Sequence, residues 1–208
     1  MNRAPVISII IFTAVVWLGA AVYWGVPNNL VDATKPFGTA ISASTGLMLA
    51  YKYLLWRLPG FRSWFRAAPN IAGAWRITLI TDWKDPVTGK APPPISGYVQ
   101  IDQTASTLSI RMFTDKSRSN TVSWAFVSDH SVFTLSIVYD NKPRIQDREQ
   151  VSRAHQGAAV FEMRGSYPDR LDGEYWTERK TIGQLNFHER KKIEINSYDE
   201  AKKKFGDK

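Results

Sequence analysis

Three regimes of hydrophobic patterning follow one another along the chain. From Val6 to Val26 the sequence VISIIIFTAVVWLGAAVYWGV is apolar and carries no charge. At about 1.5 Å rise per residue, a helix of that length spans the ~30 Å hydrocarbon core of a bilayer. Tyr23 and Trp24 lie near its end, where amphipathic rings favour the membrane interface. A second, less oily run extends from Pro36 to about Trp56, with Pro36 suited to a first helical turn and Lys52 near enough to the end to reach the interface. Both runs read as transmembrane helices. The first is longer than the ~7–15 apolar residues of a signal-peptide core, and a second apolar run follows it, which favours an uncleaved helix.

Past Asn70 the period changes to two. Trp75–Thr81 and Tyr98–Asp102 alternate apolar with polar, and six further segments have strand character: Thr107–Thr114, Asn120–Ser128, Val132–Tyr139, Gly157–Arg164, Leu171–Arg179 and Gly183–Glu189. Turn-forming clusters separate them, including Asp115–Ser119, Asp140–Pro143 and Tyr167–Asp169. About eight short strands joined by short turns predict an all-β domain, an up-and-down antiparallel barrel of lipocalin-like build, because closure leaves no edge strand exposed. The predicted organisation is a transmembrane hairpin in 1–58, a juxtamembrane linker in 59–70, a barrel in 71–190 and a polar tail in 191–208. The longest loops, Asp85–Pro94 and Pro143–Ala154, would decorate one rim of the barrel.

Charge sets the orientation. Residues 1–56 hold only Arg3, Asp32, Lys35 and Lys52 as charged groups, although the whole chain carries a formal net charge of +8. Lys52, Arg57, Arg62 and Arg66 crowd the exit of the second run, whereas the loop Pro27–Lys35 has one Asp and one Lys. By the positive-inside rule both termini and the barrel are cytoplasmic. In the linker, Phe61, Trp64 and Phe65 interleave with Arg62 and Arg66, a mixture suited to lying in the interface. The basic residues there and at Lys191, Lys192 and Lys202–Lys204 favour contact with lipid head groups over a DNA or RNA polymer. Gly38, Ser42, Gly46 and Ala50 recur every four residues, a stripe that lets helices approach closely in lipid, either within one molecule or between protomers.

The catalytic inventory is bare. There is no phosphate-binding Gly-Lys-Ser/Thr loop, no Gly-x-Ser-x-Gly elbow and no His-Glu-x-x-His. With no cysteine, disulfides and thiolate metal sites are excluded, and the histidines His130, His155 and His188 are scattered, so neither an enzyme nor a metal site is expected. What remains is polar and aromatic content on the late strands. Strand alternation puts Tyr175, Thr177, Arg179 and Thr181 on one face, and Tyr139 with Asn141 on another. If those faces are interior, an arginine suits an anionic phosphate and the aromatics suit nucleobases; if they are exterior, Arg179 is a solvated surface residue.

The same residues carry a resemblance. Two N-terminal transmembrane helices followed by a barrel with Leu135-x-Ile137-x-Tyr139-x-Asn141, His155-x-Gly157 and Gly173-x-Tyr175-x-Thr177-x-Arg179-x-Thr181-x-Gly183 resemble the two-transmembrane, β-strand-rich effectors of bacterial CBASS anti-phage defence, also called SMODS-associated β-barrel effectors. The likeness covers the whole architecture, and its last motif is the most specific. It implies a cytoplasmic barrel that binds a cyclic dinucleotide made by a partner nucleotidyltransferase, self-associates, and disrupts the inner membrane through its helices. It further implies Tyr139, Asn141, Tyr175, Thr177 and Arg179 as ligand contacts, with no cofactor beyond the activating ligand. Two rivals stand beside it. A membrane-anchored lipid carrier is suggested by the Gly73-x-Trp75 opening, which resembles that of lipocalins, and a membrane-anchored scaffold would bind protein at the barrel rim.

Overall fold

The computed structural model describes residues 4–25, 28–58, 60, 68–129, 132–143 and 154–207. Most of the expected linker, most of the Pro143–Ala154 loop and His130 lie outside the described residues. The chain divides into two compact units, Met1–Ala67 and Ala68–Lys208.

The first unit is a pair of helices, α1 (Ala4–Trp24) and α2 (Leu30–Tyr53), followed by a 3-10 turn at Leu55–Arg57. The second helix starts well before Pro36. Asn29 caps it, accepting the Asp32 N–H at 2.8 Å, and Asp32 places a negative charge in the first turn, where the helix dipole favours one. Pro36 therefore lies inside the helix and not at its first turn, which corrects the sequence expectation. α2 buries Pro36, Ala40 and Ser44, each four residues from the next. The Ser44 hydroxyl meets that of Thr13 on α1 at 2.7 Å; Thr13 gives its own proton to the Ile9 carbonyl, so Ser44 is the donor. Gly38, Ser42 and Gly46 are exposed and Ala50 is half-buried, so the small-residue stripe lies off the Pro36–Ser44 face. Among the described residues, α1 alone is long and apolar enough, over Ile7–Trp24, to cross a membrane. α2 falls short because Asp32, Lys35, Lys52 and several hydroxyls interrupt it.

The second unit is a closed barrel of eight antiparallel strands in sequence order, each paired with the next and β8 returning to β1. The strands are β1 (Gly73–Thr81), β2 (Ile95–Gln103), β3 (Leu108–Thr114), β4 (Ser117–Asp129), β5 (Val132–Pro143), β6 (His155–Arg164), β7 (Leu171–Thr177) and β8 (Ile182–Lys191). Alternation fills the interior with one set of residues, among them Trp75, Ile77, Val99, Ile101, Leu135, Ile137, Ala159, Phe161, Leu171, Leu185 and Phe187. The rings of Phe161 and Phe187 meet edge to face, 5.1 Å between centroids, with Trp75 6.2 Å from Phe187. This part of the barrel is filled with side chains.

A bulge between Thr121 and Ser123 lets β4 present Ser119 inward on one side and Trp124 and Phe126 inward on the other. Thr121 supports the kink by bonding the backbone N–H and carbonyl of Ile110 through its hydroxyl. The chain's last segment covers the outer face of β1–β3. There Ala74, Tyr98 and Phe113 pack against Ile195 and against Ala201 and Phe205 of α3 (Tyr198–Phe205). Ser197 caps α3, and Gly206 ends it in the left-handed conformation with φ of 84°. Arg76 pairs with Asp207 and Glu189, and the Tyr98 hydroxyl bonds Asp207. This covered face explains why β2 is buried on both sides although its sequence alternates.

Candidate functional site

In an up-and-down barrel the turns alternate between two ends, and the two ends differ in chemistry. One end holds the start of β1, the β2–β3 and β6–β7 turns and the end of β8. Residues 69–72 cross it as a plug. The Arg190 guanidinium lies 5.3 Å over the Trp75 ring and donates to the carbonyls of Ala72 (2.9 Å) and Asn70 (2.8 Å). The Trp75 indole donates to the Ile71 carbonyl at 2.8 Å. Gln103 accepts the Ile71 N–H and donates to the Pro69 carbonyl, each at 2.9 Å. This end is sealed, and its buried polar groups have partners.

The other end, which we call the tyrosine end, collects the late-strand residues. Tyr139 and Asn141 on β5, and Tyr175 and Thr177 on β7, face inward and are more than nine-tenths buried. The register makes them neighbours. Ser119, Asn141 and His155 lie side by side on β4, β5 and β6. Tyr139, Gly157 and Thr177 form the next row across β5, β6 and β7, and Tyr175, Gly183 and Thr81 a third across β7, β8 and β1. The face question left open by the sequence is thus answered for four residues: it is the interior.

Glycines position the rings. A Cβ at Gly157 would come 2.5 Å from the Tyr139 ring, and one at Gly183 would come 2.7 Å from the Tyr175 ring and 2.1 Å from the Ile80 carbonyl. The hydroxyl end of the Tyr139 ring and the edge of the Tyr175 ring therefore sit against the bare backbone of the following strand, as Phe161 does against Gly173 deeper in the barrel. No larger residue fits beneath them.

The hydrogen bonding at this end is incomplete. Ser119 donates to Asn141 Oδ1 at 2.9 Å, and the hydroxyls of Thr177 and Thr181 meet at 2.7 Å. Among the described residues, the Tyr139 hydroxyl and the Asn141 Nδ2 have no protein partner, and both atoms keep some contact with solvent. Burial pushes the Tyr139 phenol well above tyrosine's ordinary range, and the nearby Tyr175 adds to the shift. Burial raises Tyr175 too, with Thr81 beside it opposing the rise. Both phenols stay neutral near pH 7 and serve as hydrogen-bonding groups on aromatic plates. Beside them an open concavity of about 450 Å³, lined by Ile80, Thr81, Asp82, Glu174, Tyr175, Trp176, Ile182, Gly183 and Gln184 and so flanked by two carboxylates, runs along β1, β8 and β7. That volume is in the range of small-molecule sites.

Arg179 is a correction. β7 ends at Thr177, and Arg179 stands exposed in the β7–β8 turn, where Lys180 adopts a left-handed φ of 60°. It does not share the interior face with Tyr175 and Thr177, although its turn belongs to the same end of the barrel. Ser119 and Thr81 are inward-facing members of the site that the sequence reading passed over. Ser119 was placed in a turn because Ser117, Ser119 and Thr121 alternate with Arg118 and Asn120, leaving no apolar residue to mark the period.

Two comparisons with known proteins bear on this domain. Residues 66–189 match the family model described as "Cap15, cyclic dinucleotide receptor domain". The chain is also similar to CD-NTase-associated protein 15 of Staphylococcus schleiferi, with 24% identity over 147 residues that cover 70% of this chain and 74% of the relative.

Proposed function

The chain belongs to the Cap15 cyclic dinucleotide receptor family, the CBASS effector family its sequence resembles, and from that premise we propose that the tyrosine end of the barrel is the receptor site. The observation that carries this reading is the cluster of Tyr139, Asn141, Tyr175 and Thr177, buried and inward-facing at one end of the barrel, with the Tyr139 hydroxyl and Asn141 Nδ2 free of protein partners among the described residues. Aromatic plates stack on nucleobases, and unmet donors and acceptors read their edges. The inward side chains of this cluster are neutral, so the two phosphodiesters belong at the rim, where Arg179 offers a bidentate guanidinium. A lipid carrier would need the apolar interior that Trp75, Phe161 and Phe187 already fill.

The helices complete the reading. In it α1 and α2 both cross the inner membrane with the termini cytoplasmic, and ligand-bound barrels associate. Gly38, Ser42, Gly46 and Ala50 then serve as a packing face between protomers, since they lie off the buried face of α2. Crowding of helix pairs disrupts the bilayer and kills the infected cell. For this to work the ligand must favour the assembling state, because equal affinity for two states shifts neither.

The test is calorimetric titration of the detergent-solubilised full chain with a panel of cyclic dinucleotides, alongside tryptophan-monitored melting. Selective binding of one or a few of them with a matching rise in melting temperature is expected. Arg179→Ala should weaken that binding at least tenfold, with the unliganded melting temperature read alongside to report folding separately. A wild-type protein that binds no member of the panel would overturn the receptor reading.

A further inference from the structure

The outside of the barrel carries a charge pattern that the receptor site does not use. Arg118 on β4 and Lys142 on β5 stand directly opposite each other, both exposed, and exposed Lys116 lies in the adjoining β3–β4 turn. Like charges placed so destabilise a sheet. Arg118 lies 5.4 Å over the Phe113 ring and donates to Asn120 at 3.2 Å, and no carboxylate pairs with any of the three cations among the described residues. The folding of one barrel gives no reason for this basic corner.

At the same tyrosine end, β8 lies four strands from β4 in either direction round the ring, and the concavity along β7, β8 and β1 has the opposite character. Asp82 and Glu174 supply carboxylates to it, and none of its described lining residues is basic. The Ile182 N–H donates to Asp82 at 2.9 Å and fixes that carboxylate. The apolar wall is Trp176, Ile182 and Ile80, which stand 47%, 55% and 41% exposed. Two carboxylates repel the phosphodiesters of a cyclic dinucleotide. Beside an exposed indole they suit a guanidinium or an ammonium, which pairs with the acids and lies over the ring.

We propose that this concavity is a socket for the Lys116–Arg118 corner of a second copy of the chain, so that barrels join side by side, head to tail. The Arg118 guanidinium of one barrel meets Glu174 and the Trp176 ring of the next, and Lys116 and Lys142 add to the attraction toward Asp82. Corner and socket lie on opposite sides of the barrel, so the contact is heterologous. Each added copy brings a further free socket, and the array closes as a ring or runs on. The inference rests on the reading that barrels associate, and adds to it the two surfaces that meet.

The experiment follows self-association of the detergent-solubilised full chain by sedimentation, with and without each cyclic dinucleotide of the panel. Glu174→Arg sets arginine against arginine at the contact, and Arg118→Glu sets carboxylate against carboxylate. Each variant alone should associate at least about tenfold more weakly than the wild type. In an equimolar mixture of the two variants opposite charges meet at every contact, so the mixture should regain the association that neither has alone. Both positions are exposed, and melting temperatures report folding separately. A smaller loss from either reversal would overturn the proposal and leave self-association standing. So would a mixture no more associated than its components. A wild type that stays monomeric under every condition would overturn the proposal together with the association reading, while the receptor site is judged by calorimetry alone.

Discussion

The two ends of the barrel are built from the same eight strands yet spend their polar groups in opposite ways. At the sealed end an arginine, a tryptophan and a glutamine are matched to the backbone of residues 69–72, and each bond closes within the chain. At the tyrosine end the Asn141 Nδ2 and the Tyr139 hydroxyl have no protein partner and keep contact with solvent. A buried polar group that finds a partner within the chain stabilises the fold; one that faces solvent keeps its hydrogen-bonding capacity for water or a ligand. On the receptor reading proposed above, the division separates residues kept for folding from residues kept for recognition.

That division can be broken first at the sealed end. Arg190→Ala removes charge-assisted bonds to two carbonyls and the contact over Trp75, and should cost about 3 kcal/mol in urea unfolding. Ligand affinity per folded molecule should be unchanged; a parallel fall in affinity would mean that the ends are coupled. A middle-sized effect of the opposite kind is expected for Tyr139→Phe. Ligand affinity should fall about tenfold, while stability stays within about 0.5 kcal/mol because the hydroxyl makes no bond within the protein. The smallest effect is a pH dependence. Tyr139 and Tyr175 hold their protons to higher pH in the barrel than tyrosine's ordinary value of about 10, as does Tyr98 through burial and its bond to Asp207. Below pH 10 folded and unfolded chains are equally protonated at these groups. Above it the unfolded chain sheds protons that the barrel keeps, so stability falls as pH rises. Melting curves at pH 9 and 11 should differ in that direction, and Tyr139→Phe should narrow the gap.

The barrel itself was legible because its strands are half-buried and alternate, and turn residues punctuate them. The eight expected segments are the eight strands, with ends moved by a few residues. Pairing Tyr139 with Asn141, and Tyr175 with Thr177, needed only the period of two. Arg179 was misplaced by extending that period past Thr177, where the chain turns and the backbone at Lys180 becomes left-handed. Ser119 was lost for a related reason: a strand that is polar on both faces has no hydrophobic rhythm, and only its place beside Asn141 gives it meaning. In the helical unit Pro36 drew the start of α2 toward itself, although Asn29 had the better capping chemistry. The plug at residues 69–72 and its bond to Gln103 depend on residues distant in sequence, which no local pattern reports.

The seam between β1 and β8 has a consequence for how the chain reaches its folded state. Seven of the eight strand pairings join sequence neighbours and can form as local hairpins, whereas Ala74 pairs with Lys191 from the other extreme of the domain. Bringing such distant segments together carries the largest loop-closure cost, so that pairing is expected to form late on the folding path. The Arg190 clamp spans this seam, with the guanidinium from β8 and its acceptors just before β1. Until it locks, the nascent sheet exposes two unpaired edges, and those minutes or milliseconds are when the protein is most open to pairing with the wrong chain.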